Sequence, residues 1–176
     1  MPTSEAILDS QAATVALPRP AIGRLIALLL PLALLGGALG SQYLGGLVPC
    51  EMCYWQRWPH AVAIGFAALA FTSAATSDRS RALTLVAAAA IAVSGAIGIY
   101  HAGVELGIFE GLTTCTSTAS GATTAELLNA IMNAPLVRCD QVQFAFLGIS
   151  MAGWNAILSL GGAAAIAWLM LRKRAA

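Results

Sequence analysis

Leu25–Tyr43 (LIALLLPLALLGGALGSQY) runs for 19 residues without a charged side chain, and its reading decides the fold. A hydrocarbon core about 30 Å thick takes roughly 20 helical residues to cross. Three more apolar runs follow: Tyr54–Ala74, Ala82–Tyr100 and Phe144–Leu171. None shows the period-two alternation of a barrel strand, and in lipid only helices or closed barrels satisfy their own backbone groups. Composition agrees. With 59% hydrophobic and 10% charged residues and a mean hydropathy of +0.79, the 176-residue chain lacks the polar surface of a water-soluble globule. The expected fold is an all-α membrane protein, a four-transmembrane-helix bundle in one domain over residues 21–176, with residues 1–20 as a cytoplasmic tail. That tail makes a poor cleaved signal, because some 20 mostly polar residues precede the first apolar run.

The basic residues orient the bundle. Arg19 and Arg24 precede the first run, Arg79 and Arg81 separate the second and third, and Arg172, Lys173 and Arg174 follow the fourth. Arg57 and Arg138 lie on the other side with Glu51, Glu105, Glu110, Glu126 and Asp140. Both termini are therefore expected in the cytoplasm. The net charge of +1, without a basic patch, gives nucleic acid nothing to bind. Tyr43, Tyr54, Trp55, Trp58 and Trp168 sit where interfacial anchors sit, and Gly36, Gly40, Ser94, Gly98, Gly161 and Gly162 supply small faces for helix packing.

Four cysteines carry the chemistry. Cys50 and Cys53 form a CxxC dithiol, the spacing that closes a small, readily exchanged disulfide, while Cys115 and Cys139 stand 24 positions apart. By the orientation above, all four face outward, where disulfides persist. If the second helix starts near Cys53, Arg57 lies one turn deeper on the same face. A guanidinium and a helix N-terminus both favour a thiolate at Cys53. Cys50 is expected to be less embedded and freer to exchange. His60 continues the stripe, and His101 at the outer end of the third run is a candidate cofactor contact. The loop acids, Glu105 among them, are expected to be solvated. In the outer loop, about residues 105–143, Thr123 and Glu126 have capping-box spacing. Leu127, Leu128, Ile131 and Met132 follow at helical intervals until Pro135. A short amphipathic helix lying on the membrane is the expectation.

Pro49-Cys50-Glu51-Met52-Cys53 with Gln56-Arg57, a loop cysteine pair, then Cys139-Asp140, Phe144-Ala145-Phe146-Leu147-Gly148 and Trp154 resemble the bacterial disulfide bond formation protein family DsbB. The resemblance spans about Leu25–Leu171, and its dithiol-to-arginine block is the most specific part. It implies an inner-membrane oxidoreductase that reoxidises a periplasmic thioredoxin-like dithiol oxidase, DsbA-like, and passes the electrons to a quinone, ubiquinone or menaquinone. By position it implies Cys50 and Cys53 as the quinone-proximal dithiol, Cys115 and Cys139 as the loop disulfide, and Arg57 as the quinone-side arginine. The residues around Cys115 are Thr and Ser rich, unlike the family's loop.

Three other readings are less well supported. A vitamin K epoxide reductase relative carries its membrane dithiol after its loop cysteines, whereas here it comes first. A four-cysteine zinc site lacks a second close-spaced pair. A membrane scaffold stapled by a disulfide across 24 positions gains about 3 to 4 kcal/mol, a reading that thiol-dependent quinone reduction would exclude.

Overall fold

A computed structural model describes residues 17–111, 123–133 and 137–172. Cys115, Pro135 and most of the predicted tail, residues 1–16, lie outside them, as do the last four residues. In order come α1 (Arg19–Tyr43), α2 (Glu51–Ala70), α3 (Asp78–Glu105), α4 (Thr124–Asn133), β1 (Ala145–Phe146), β2 (Ile149–Ser150) and α5 (Met151–Leu171). α1, α3 and α5 are long and apolar enough to cross a membrane. α2 has 20 residues and matches the expected second run in position. It is not one of the three, because Gln56, Arg57 and His60 dilute the apolar content of its first half.

Local chemistry sets the helix ends. Ser77 and Ser150 cap α3 and α5 by accepting from the backbone N–H groups of Ser80 and Gly153. At the other end of α2, Arg24 of α1 donates to the carbonyls of Ala70 and Ser73 at 3.3 and 2.9 Å. Its guanidinium also lies over the Phe71 ring. The Arg24 charge thus sits at the negative end of the α2 dipole. The predicted capping box is present: Thr123 N–H donates to Glu126 Oε2 at 3.1 Å, and Glu126 N–H to Thr123 Oγ1 at 3.2 Å.

The last helix does not begin at Phe144 as its apolar run suggested. Ala145 pairs with Ser150 and Phe146 with Ile149 around a two-residue turn, Leu147 at φ 53° and Gly148 at φ 78°. Two successive positive φ values make a hairpin turn that no helix continues through. Trp154 donates from Nε1 to the Phe146 carbonyl at 3.0 Å and holds the hairpin over the start of α5.

α3 lies along both α2 and α5, and α1 closes against α2 and α5. The core divides in two. Away from the cysteines it is built of small residues, Ala27, Ala63, Ala67, Ala87, Ala88 and Ala163, filled out by Ile91, Ile166 and Met170. At the cysteine end Cys50, Met52, Val104, Val137 and Cys139 form a second cluster. Gly98 explains the close α3–α5 approach: a Cβ there would stand 3.0 Å from the Ala152 carbonyl oxygen and 3.1 Å from the Ala156 nitrogen. A Cβ at Gly36 or Gly40 would meet nothing within 4 Å, so the packing face expected there has no close partner among the described residues.

Because backbone cannot yield as a side-chain tip does, Gly98→Leu should lose about 1 to 3 kcal/mol of stability by overpacking. Gly36→Leu should lose almost none. Thermal unfolding of the two variants in detergent checks the contrast.

Candidate functional site

The dithiol sits at the mouth of α2. Cys50 is the N-cap residue, with its sulfur accepting from Cys53 N–H at 3.4 Å and standing 3.0 Å from Cys53 Sγ. The helix thus begins at Glu51 and not at Cys53, which places both sulfurs on its first turn, where unpaired N–H groups favour negative charge. The burial of the pair is the reverse of the sequence expectation. Cys50 is 2% exposed, whereas Cys53 is half-buried. Its bond to Cys53 and its burial push the Cys50 thiol up to about 12, with His101 pulling the other way. Cys50 therefore keeps its proton at neutral pH.

Three further expected residues meet this pair. His101 of α3 brings Nε2 to 3.5 Å from Cys50 Sγ. Cys139 is 3% exposed, packs in the same cluster as Cys50, and its backbone bonds to the His101 ring. The donor atoms of Cys50, Cys53 and His101 all lie within 4.8 Å of one another, so among the described residues the compact group is two sulfurs and a ring. Arg57 faces α1, donating to Gln42 Oε1 at 2.5 Å and to the Ala38 carbonyl at 3.2 Å. Its guanidinium lies 5.1 Å from the Tyr54 ring centre. Cys115 lies outside the described residues. Beside Cys139, the exposed Arg138 bonds Asp140 and holds its carboxyl below the usual carboxylate range.

His60 does not face the way Arg57 does. Its Nε2 lies 2.9 Å from both Asn155 Oδ1 of α5 and Ser94 Oγ of α3. Glu105, expected in solvent, has a side chain only 8% exposed, with Oε1 3.8 Å from His101 Nε2. Three residues that sequence reasoning left out of the site complete it. Gln56 donates to His101 Nδ1 at 2.8 Å, Asn155 donates to Gln56 Oε1 at 2.8 Å, and Ser94 donates to the Gln56 carbonyl at 2.8 Å. A signal for them existed: uncharged polar side chains such as Asn155 inside an apolar helix imply a partner or a function.

Cys50, Cys53, Arg57, His60 and His101 all line one cavity of about 620 Å³ between the helices. Leu34, Ala38, Leu47, Met151 and Trp154 supply much of its apolar wall. Its size falls within the range of small-molecule sites.

A close-spaced dithiol set among membrane-length helices, against an apolar cavity, defines a membrane-bound thiol redox protein. The chain matches the family model described as Disulfide bond formation protein DsbB over residues 21–169, and it belongs to that family. It is accordingly an oxidoreductase of disulfide bond formation, and its three apolar helices fit an inner-membrane protein. It is also similar to an uncharacterized protein, RP370, of Rickettsia prowazekii (strain Madrid E). The two are 24% identical over 139 residues, covering 77% of this chain and 79% of that protein. No solved structure matches the chain.

The burial difference is directly measurable. In the folded, reduced protein a maleimide should modify Cys53 ahead of Cys50 by about tenfold or more, since reaction needs both access and thiolate. Mass spectrometry of timed samples reads the order, which should vanish on denaturation.

Proposed function

We propose that the chain is a dithiol:quinone oxidoreductase that reoxidises a soluble, thioredoxin-like dithiol oxidase of the DsbA kind. The observation that carries this reading is the position of Cys50 and Cys53 on the wall of the 620 Å³ cavity, with Cys139 packed beside Cys50. In this reading α1, α2, α3 and α5 all cross the inner membrane, both termini are cytoplasmic and the cysteines periplasmic. α4 lies on the outer surface, with Leu128 and Met132, 60% and 78% exposed within the chain, turned into lipid.

The cavity suits a quinone. Its walls are apolar enough for a ring and an isoprenoid tail, and Arg57 and His101 supply polar groups near the sulfurs. Arg57 Nε is buried without a partner among the described residues, an orphan donor that a carbonyl oxygen would satisfy. A bound quinone, ubiquinone or menaquinone, accepts two electrons and two protons. The protein's part is exchange and positioning. A thiolate of the reduced partner attacks Cys115 of a Cys115–Cys139 disulfide, and Cys139 leaves as thiolate. Cys139 then attacks Cys50 of the Cys50–Cys53 disulfide, and Cys53 leaves as thiolate near the Arg57 charge. The partner's second thiolate displaces Cys115, forming the partner's disulfide. Cys115 in turn attacks Cys139, restoring the loop disulfide and releasing Cys50. Cys50 and Cys53 then return to a disulfide by giving up two electrons and two protons.

Purified protein mixed with a reduced DsbA-like partner and a soluble quinone should consume quinone, followed by its absorbance, only while Cys50 and Cys139 are intact. Quinone loss indifferent to both cysteines would overturn the reading. Arg57→Met keeps length and removes a charge-assisted donor worth about 1.5 to 3 kcal/mol, so the KM for quinone should rise on the order of tenfold or more. Partner oxidation in a single turnover without quinone should be unchanged.

A further inference from the structure

Both histidines of the chain belong to one chain of hydrogen bonds, and two backbone carbonyls define its direction. Gln56 Nε2 lies 3.1 Å from the Met52 carbonyl oxygen. A carbonyl only accepts, so the nitrogen of the Gln56 amide must face it. The same nitrogen is 2.8 Å from His101 Nδ1, which is therefore the acceptor and carries no proton. The ring proton sits on Nε2. Cys50 Sγ at 3.5 Å and Glu105 Oε1 at 3.8 Å face that nitrogen and can accept from it, and the Cys139 backbone also bonds to the ring.

The second half runs the same way. Asn155 Nδ2 faces the Ser94 carbonyl at 3.2 Å, which orients that amide, and it donates to Gln56 Oε1 at 2.8 Å. Asn155 Oδ1 then accepts from Ser159 Oγ at 3.0 Å and from His60 Nε2 at 2.9 Å. Ser94 spends its own proton on the Gln56 carbonyl, so its oxygen also accepts from His60. His60 likewise carries its proton on Nε2. Reversing either amide would set oxygen against carbonyl oxygen and, between the two amides, nitrogen against nitrogen or oxygen against oxygen.

We propose that Gln56 and Asn155 are positioning residues that lock both histidines in the Nε2–H form, so that His101 serves the dithiol as a hydrogen-bond donor to the Cys50 sulfur and not as the base that takes its proton. The amides hold no exchangeable lone pair at nitrogen, so the network transmits orientation and no proton current. A donor at Nε2 stabilises negative charge as it develops on the Cys50 sulfur, whether that sulfur is attacked or leaves. The significance for turnover rests on the dithiol:quinone reading above, but the protonation pattern does not.

The test uses the full-length reduced protein in detergent, labelled with nitrogen-15 at histidine, with neither quinone nor partner present. With only two rings in the chain, each is assigned by comparison with His60→Gln. Long-range proton–nitrogen correlations at a pH where the rings are neutral should show Nε2 protonated and Nδ1 bare in both. A wild-type His101 with its proton on Nδ1 overturns the proposal without any variant. In Gln56→Glu the carboxylate can only accept, so His101 should acquire a proton on Nδ1. A folded variant in which Nδ1 stays bare overturns the clamp. Asn155→Leu should leave His60 as a mixture of tautomers while His101 keeps its proton on Nε2, and a His60 spectrum unchanged from wild type counts against Asn155. Because no quinone enters, failure here leaves the oxidoreductase reading intact, and failure of quinone turnover leaves this result intact.

Discussion

The hydrogen-bonded chain of Gln56, His101, Asn155, His60 and Ser94 is the interaction on which the rest of the molecule depends. A polar side chain in the bundle interior has no water to turn to, and one left unpaired costs more than a paired one gains. Each bond in such a setting contributes only modestly, about 0.6 kcal/mol on average between membrane helices. Their joint effect is selective. α2 is the least apolar of the four long helices, and it is held by supplying partners to α3 and α5 where a purely apolar helix would supply surface. The same bonds that hold α2 aim its first turn, and hence Cys50 and Cys53, at the cavity.

The remaining wall depends on α1, which reaches the site by different means. Arg57 ties α2 to Gln42 and to the Ala38 carbonyl, while Arg24 ties the opposite end of α2 to the same helix. Two arginines thus brace the two ends of the helix pair. Between the braces Leu34 and Ala38 face open volume, and that volume is the cavity.

Most of the architecture was legible before any coordinate. Three long apolar runs, the CxxC and the Thr123–Glu126 capping box depend on residues close in sequence, where periodicity and spacing carry the information. What escaped depends on partners far apart. Glu105 reads as a loop acid until α3 is seen to continue past Tyr100 and turn it toward His101. Asn155 reads as one polar residue in an apolar helix until Gln56, 99 positions away, is found to receive its proton. Phe144–Ser150 reads as the start of a helix because every residue is compatible with one. The positive φ values at Leu147 and Gly148, with the Trp154 bond to Phe146, turn it into a hairpin. Burial of Cys50 was missed for the same reason, since it is imposed by Met52, Val104 and Val137 jointly.

That burial has an electrical consequence. Thiol exchange needs a sulfur to be struck in line, so a sulfur with 2% of its surface showing is an insulated contact. Small thiols diffusing past cannot short the circuit at Cys50, and neither can a second protein too broad to enter. In the proposed exchange the sulfur that reaches it is that of Cys139, itself 3% exposed and packed in the same cluster.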